Sequence, residues 1–341
     1  MIIVTGGAGF IGSALIWKLN QLGEEDIIII DDLGNTEESR NKESSEYKNA
    51  NSGKWKNLVS LKFADIFDKE DFGHMVSSGF LKNFKIDTIF HLGANSSTTE
   101  SNFNSLFKNN FEYTKYLCEQ SLDNDIRFIY ASSAATYGDG AQGYEDDESK
   151  LNTLRPLNAY GYSKHMFDLW AKRSRVLDKV VGLKYFNVYG PNEYHKDSMQ
   201  SVVNKCYRQI KETGKAKLFK SNNSGYKDGE QKRDFLYVKD AVDMTLFFMQ
   251  NKIVSGIYNI GTGEANTFKD FVNPVFKAVD VKEDIEYIDM PDILKEKYQY
   301  YTKADISKLR SVGFENKLTS IDEAVTDYVK NYLDTENAYL S

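Results

Sequence analysis

Three side chains carry the most specific chemistry in this sequence: Ser133, Tyr160 and Lys164. Tyr160-Gly-Tyr-Ser-Lys164 sets a phenol and an ammonium four residues apart, on one face of a helix. A free phenol, with a pKa of about 10, is a poor base at neutral pH. A neighbouring cation favours the phenolate and brings that value towards the working range. Upstream, Arg127-Phe-Ile-Tyr-Ala-Ser-Ser133 predicts a β-strand ending in hydroxyls that could hold a substrate alcohol. Such a serine, tyrosine and lysine form an acid/base group for moving a proton while a hydride leaves carbon. With 22 tyrosines in the chain, a Tyr-x-x-x-Lys spacing arises easily in an ordinary polar turn. Its place after a nucleotide-binding N-terminus is what gives it weight.

That N-terminus begins with Met1-Ile-Ile-Val-Thr5, a short apolar run read as a buried parallel strand. Gly6-Gly-Ala-Gly9-Phe-Ile-Gly12 follows at once, and then an amphipathic helix over about Phe10 to Leu22. Glycines at 6, 9 and 12 allow a tight turn, close approach to a pyrophosphate and packing of helix on sheet. The helix N-terminus adds amides and a partial positive charge. The second strand, Asp26 to Asp31, ends in an acid about twenty residues past the glycines, where adenosine ribose hydroxyls would be bound. Residues 34–57 are almost wholly polar and are read as a solvated surface insertion.

Further strands are expected at Leu58–Phe63 and Ile86–His91, with a helical stretch between them. The latter leads into the small-residue turn Leu92-Gly-Ala-Asn95-Ser96, suited to close approach of a cofactor. Asn109 and Asn110 fall on the next helix, where asparagine is unfavourable by propensity and so implies a hydrogen-bonding task. After the Tyr160 helix comes Val180–Pro191, and the βαβ alternation to this point predicts a Rossmann-type, doubly wound parallel α/β sheet. Residues 1–190 form the expected dinucleotide-binding domain and 191–341 a largely substrate-binding lobe. The two interleave, because a strand at 256–260 rejoins the main sheet. Helices are expected near 198–213, 241–250, 267–279 and 319–333.

At 341 residues the chain can bury a large core. Its net charge of −7, with both signs interspersed, excludes neither fold nor enzyme but argues against nucleic acid and anionic membrane as partners. Two cysteines, Cys118 and Cys206, give no disulfide framework and no metal cluster. No apolar run reaches the roughly 18 residues of a membrane span. A chain that opens directly in a strand is expected to carry no signal peptide, so a cytoplasmic enzyme is expected, as a homo-oligomer.

Gly-Gly-Ala-Gly-Phe-Ile-Gly, Ser-Ser-Ala-Ala-Thr-Tyr-Gly, Tyr-x-x-x-Lys, Arg-Asp-Phe-Leu-Tyr-Val and Asn-Ile-Gly-Thr-Gly occur in that order. Over nearly its whole length the chain thereby resembles the extended short-chain dehydrogenases/reductases that act on nucleotide sugars. His91–Glu100, Tyr185–Met199 and Tyr298–Asp305 narrow the resemblance to the ADP-glyceromanno-heptose 6-epimerase family of lipopolysaccharide core precursor synthesis. That resemblance implies a tightly held NADP, with NAD as the alternative, which oxidises C6 of the heptose and returns the hydride to the opposite face.

Carried over, the resemblance implies cofactor contacts from Gly6, Gly9, Phe10, Ile11, Gly12, Asp31, Asp32, Lys54 and Lys69. It adds Leu92, Gly93, Ala94, Asn95, Ser96, Asn109, Lys164 and Val188. Tyr160 and Lys196 would be two acid/base residues, with Ser133 holding the reacting oxygen and Lys164 assisting. Asn187, Ser198, Lys205, Phe219, Lys220, Ser221, Asn222, Arg233 and Tyr298 would bind the ADP-heptose. Arg233 suits a diphosphate, since a guanidinium binds phosphate oxygens bidentately.

Three features depart from the family pattern. Asp32 stands where asparagine is usual, the 34–57 insertion lies beside the same pocket, and the 220–232 loop is longer. Two rival readings are a UDP-sugar 4-epimerase or 4,6-dehydratase, and a non-catalytic dinucleotide sensor. Dehydratases place an Asp-Glu pair where this chain has Ala134 and Ala135, and a sensor would have lost the tyrosine or the lysine.

Overall fold

In the computed structural model, which describes residues 1–33, 53–295 and 298–341, seven parallel strands form one sheet. They are β1 (Ile2–Thr5), β2 (Ile27–Ile30), β3 (Asp65–Phe67), β4 (Thr88–His91), β5 (Arg127–Ser133), β6 (Val181–Tyr185) and β11 (Gly256–Ile260). Their spatial order is β11-β6-β5-β4-β1-β2-β3. The strand order reverses between β1 and β4, the crevice where doubly wound sheets take their ligands.

β1 and β2 are apolar at nearly every position because both faces are covered. Ile2, Val4, Ile27 and Ile29 enter one buried core, while Ile3, Ile28 and Ile30 enter the other. The two-residue alternation of a strand thus feeds two layers of helices. One face packs the Phe10–Gln21 helix against the Val238–Gln250 helix, and the other carries Phe167, Trp170 and Ala171 of the Ala159–Arg173 helix.

Beyond β6 the smaller strands pair in twos. β7 (Asn187–Tyr189) runs parallel to β10 (Phe235–Tyr237), and β8 (Ala216–Phe219) parallel to β13 (Ile285–Ile288). β9 (Lys232–Arg233) and β12 (Asn266–Thr267) are antiparallel. β11 then returns to the main sheet beside β6, in register from Gly256 against Val181 to Ile260 against Tyr185.

Several boundaries differ from the sequence expectation. The run at Leu58–Phe63 is not a strand; a 3₁₀ turn occupies Lys54–Leu58, and the third strand starts at Asp65. The reason is tertiary: Leu58 and Leu61 are buried under the N-terminal helix, which uses the apolar residues as a plug rather than as a pleat. Residues 34–52 of the polar insertion lie outside the described residues, whereas Lys54 and Asn57 at its end are built into the site, with Trp55 and Lys56 between them exposed. The helix expected from Ala241 begins at Val238, so Arg233-Asp-Phe-Leu-Tyr-Val-Lys-Asp240 is two short strands and a first helical turn. No helix among the described residues is long and apolar enough to cross a membrane.

Candidate active site

The turn after β1 is closed by backbone contact. Gly6 has φ +70°, and a Cβ there would lie 2.6 Å from the Gly93 amide nitrogen. A Cβ on Gly12 would meet the Gly6 carbonyl oxygen at 2.1 Å. The turns after β1 and β4 therefore meet main chain to main chain, which no other residue type permits. The Phe10–Gln21 helix starts at Gly9 with no side-chain cap and no acid in its first turn, so its leading amides remain available to an anion. A pyrophosphate fits this cradle.

The end of β2 supplies the adjoining contacts. Asp31 is buried, and its carboxylate accepts from the Ala8 amide at 2.8 Å and from Lys54 at 3.0 Å. Lys54 also donates to the Asp32 carbonyl at 3.0 Å, so the lysine sits across the pair of acids. Lys69 donates to Asn109 at 2.6 Å. Phe10 is buried, Ile11 and Leu92 are partly buried against the core, and Ser96 is exposed.

On the other side of β1, the Ala159–Arg173 helix is capped by Asn158, whose side chain accepts from the Gly161 amide at 2.8 Å. Gly161 packs so closely that a Cβ there would lie 2.7 Å from the Ala135 carbonyl oxygen. This contact sets Tyr160 beside the turn that follows Ser133. Burial raises the Tyr160 phenol above its ordinary value, and hydrogen bonding from Ser133 opposes that shift. Lys164 is buried and donates to the Ala131 carbonyl at 2.7 Å; burial brings its ammonium down to about 8, against the pull of Asp168.

Asp168, four residues on, anchors the base of this helix. Its carboxylate accepts from Tyr130 at 2.9 Å and Ser132 at 2.8 Å, and pairs with Lys184 at 3.4 Å. Lys184 donates also to Thr136 at 2.7 Å. The sequence signal was present for both. Lys184 is a cation inside an apolar strand, and Asp168 continues the i, i+4 stripe of Tyr160 and Lys164.

His91, at the end of β4, was missed as a positioning group. Thr5 Oγ1 lies 2.7 Å from its Nδ1 and Thr114 Oγ1 lies 2.9 Å from its Nε2. Thr114 spends its proton on the Asn110 carbonyl, so Nε2 must donate and Nδ1 must accept from Thr5. Thr5 in turn accepts from the Gly93 amide at 3.1 Å. Burial holds the imidazole neutral with a pKa of about 3. Asn109 and Asn110 lie not on an α-helix but on a π-helical turn, Phe107–Glu112. Asn110 exchanges bonds of 2.9 Å with the Asn95 main chain and reaches Ser163 at 2.9 Å. One buried polar network thus joins the cofactor turns to the helix of Tyr160.

Lys196 lies in a 3₁₀ stretch, Tyr194–Met199, with its ammonium 5.0 Å from the Phe10 ring centre. It is therefore at the start of the N-terminal helix, beside the glycine turn. Burial lowers its pKa, opposed by Glu193. Glu193 is fully buried and accepts from the Ser201 amide at 2.7 Å, the Ser201 hydroxyl at 2.6 Å and Tyr328 at 2.9 Å. The same loop is stitched by Asn192 to Ser13 at 3.0 Å and by Asn57 to Asn192 and Ala8. His195, the neighbour of Lys196 in the chain, is held neutral by burial at about 4, next to Lys54 and Lys196.

Of the residues expected to bind the substrate, Arg233 and Tyr298 are brought together. That guanidinium is 6% exposed, donates to the Lys232 carbonyl at 2.9 Å, and has no carboxylate partner among the described residues. Tyr298 lies under it at 5.0 Å. Asn187 is exposed and contacts Thr302 at 3.4 Å, and Val188 beside it is partly buried. The Ser198 carbonyl accepts from Lys205 at 2.5 Å. Lys220 pairs with Asp289 at 3.0 Å on the surface, and the Ser221 amide bonds Asp228 at 2.7 Å.

A nucleotide cradle joined through buried polar groups to a tyrosine–lysine helix is what a nicotinamide-dependent oxidation and reduction of an alcohol requires. The chain belongs to the NAD dependent epimerase/dehydratase family, whose model matches residues 2–261. Within it, the chain is 47% identical to ADP-L-glycero-D-manno-heptose-6-epimerase of Nitratidesulfovibrio vulgaris strain DP4, over 100% of both chains. It is also 47% identical, again over 100% of both, to the enzyme of that name from Fusobacterium nucleatum subsp. nucleatum. The crystal structure of Helicobacter pylori ADP-L-glycero-D-manno-heptose-6-epimerase matches with a TM-score of 0.76 at 26% identity, covering 97% of this chain and 95% of that one.

Proposed function

We propose that this enzyme interconverts the D-glycero and L-glycero forms of ADP-manno-heptose by epimerisation at C6, in lipopolysaccharide core precursor synthesis. One observation carries the reaction type. The turn packed against Tyr160 presents the Ser133 hydroxyl followed by Ala134 and Ala135, so a phenol and an alcohol face the reacting carbon without the acid pair that elimination of water needs. The full-length relatives supply the sugar. A nicotinamide dinucleotide held by the glycine turn, Asp31 and the Leu92–Ser96 turn would supply the acceptor and then the donor of the C6 hydride.

The chain's own residues do the rest. Gly6, Gly9 and Gly12 admit the pyrophosphate, Asp31 and Lys54 meet the adenosine side, and the Leu92–Ser96 turn closes the other wall. Ser133 holds the reacting oxygen, and Tyr160 moves its proton with Lys164 as electrostatic support. Inversion requires the ketone to show its second face, which carries its oxygen to a new place. A single phenol cannot stay within about 3 Å of the oxygen in both poses, so a second proton donor is needed. Lys196 is that donor: it is half-buried, its ammonium lies against Phe10 at the end of the glycine turn, and its pKa is lowered by desolvation. Arg233 takes the diphosphate.

The cofactor is NADP. Lys54 offsets Asp31, and with Lys69 it would supply positive charge to a 2′-phosphate. The unpaired thiols Cys118 and Cys206 suit a reducing cytoplasm. An NMR assay of ADP-heptose against UDP-glucose, resolving both C6 epimers, tests the reading. Turnover of UDP-glucose with no change in ADP-heptose overturns it, and mass analysis of cofactor released by denaturation decides NADP against NAD.

A further inference from the structure

Arg233 is a buried cation that no carboxylate neutralises among the described residues, and its surroundings are aromatic. The guanidinium stands 5.0 Å from the Tyr298 ring centre and 5.8 Å from that of Phe268. Tyr298 meets Tyr300 edge-on at 5.2 Å, and Tyr300 lies against Tyr226 at 5.5 Å with their planes 32° apart. Three tyrosines thus form a chain of ring contacts that starts at the cation. Tyr226 belongs to the long 220–232 loop, and Asn222 of that loop donates its amide to the Tyr300 hydroxyl at 3.2 Å. The loop's extra length therefore has a use: it brings one more ring to the line and ties it there.

We infer that Tyr300 and Tyr226 form a stacking platform for the nucleobase of the sugar nucleotide whose diphosphate Arg233 holds. This rests on the proposed function for the ligand class and adds the two residues that read its base. The geometry suits the chemistry of a nucleoside diphosphate. A guanidinium binds the phosphates at one end, and flat π-faces start one ring further on. Stacking on an aromatic side chain tolerates any base, but a purine offers the larger face, so an adenine nucleotide gains most from the platform. Both residues are partly exposed, so part of this ring pair is open to solvent and to a ligand.

Isothermal titration of the holoenzyme with ADP, UDP and inorganic pyrophosphate tests the inference. Tyr226→Ala and Tyr300→Ala should each weaken ADP binding about tenfold or more, and UDP binding less. Pyrophosphate, which has no base, should bind both variants as it binds the wild type. Tyr300→Phe keeps the ring and removes the hydroxyl that holds Asn222, so near-normal ADP binding by that variant assigns the effect to stacking. The inference is overturned if ADP binding is unchanged in the alanine variants. It is equally overturned if pyrophosphate weakens as much as ADP, because the tyrosines would then merely support Arg233. Because binding is read without turnover, a failure of heptose epimerisation leaves this comparison intact and counts against the proposed reaction alone.

Discussion

The ammonium of Lys164 donates to the carbonyl oxygen of Ala131 at 2.7 Å, tying the helix of Tyr160 to the strand that ends in Ser133. Burial lowers this ammonium to about 8, so it is charged at neutral pH and loses its charge as pH rises past that value. Its support of a Tyr160 phenolate fades over the same interval. Turnover in the wild type is therefore expected to decline above about pH 8, measured as kcat against pH. Tyr160→Phe should lower kcat by roughly 10²- to 10⁴-fold at pH 7, the range for loss of a general acid/base. A variant that keeps most of its kcat would remove Tyr160 from the mechanism.

Lys196 separates two roles by kinetics. As a proton donor it acts only in the transition state, so Lys196→Met should lower kcat by orders of magnitude with KM little changed. As a clamp on the diphosphate it would raise KM and spare kcat. Steady-state kinetics at saturating ADP-heptose distinguish them, and the second pattern sinks the two-donor mechanism.

Lys54 bridges Asp31 and the Asp32 carbonyl, so Lys54→Ala leaves Asp31 with the Ala8 amide and an uncompensated negative charge. The variant is expected to retain NADP about tenfold less well than the wild type, with NAD less affected. The ratio of the two dinucleotides released by denaturation, weighed by mass spectrometry, checks this. An unchanged ratio assigns Lys54 to the fold.

His91 gives stability a definite pH dependence. Its folded pKa is about 3 against an ordinary 6.5, so between those values the unfolded chain binds a proton that the folded chain refuses. The contribution is complete above pH 6.5 and is lost as pH falls towards 3. From pH 7 to pH 5 the wild type should lose about 2 kcal/mol more than His91→Gln. Urea denaturation of both proteins at the two pH values measures it, and parallel losses would show that the imidazole titrates freely.

Lys184 and Asp168 are 1% and 0% exposed, the most deeply buried ion pair of the described residues. Lys184→Met removes the paired cation from a buried carboxylate whose remaining hydrogen bonds come from the Tyr130 and Ser132 hydroxyls. The expected cost is about 3–5 kcal/mol, read as a fall in Tm. A Tm within a degree of the wild type would mean that Asp168 takes up a proton and needs no cation.

The parallel sheet and the Gly6–Gly12 turn were legible because their signals are local: a short apolar run, glycines at fixed spacing, an acid at the end of the next strand. Leu58–Leu61 shows the limit of such reading. An apolar run of that length fits a strand or a plug, and only the neighbouring helix decides. Tyr160 and Lys164 could be placed on one helix face from spacing alone, but that Lys164 would bond Ala131 depends on how deeply the helix sits, which Gly161 sets from 26 residues past Ala135. His91 escaped notice because its partners, Thr5 and Thr114, are far away in sequence and unremarkable by type. The π-helical turn at Asn110 has no sequence signature that propensity can detect.

β11 reaches the main sheet only after the chain has passed through β7 to β10. This threading makes the molecule hard to divide. A piece ending at residue 190 would leave β6 with one bare edge of amides and carbonyls, the kind of surface on which chains add to one another. Exchanging the sugar-recognising region with that of a relative would likewise need two junctions, one on each side of β11, and both would fall against the same strand. Changes of substrate in such an architecture come more readily from lengthened loops, like the one bearing Tyr226, than from the shuffling of whole modules.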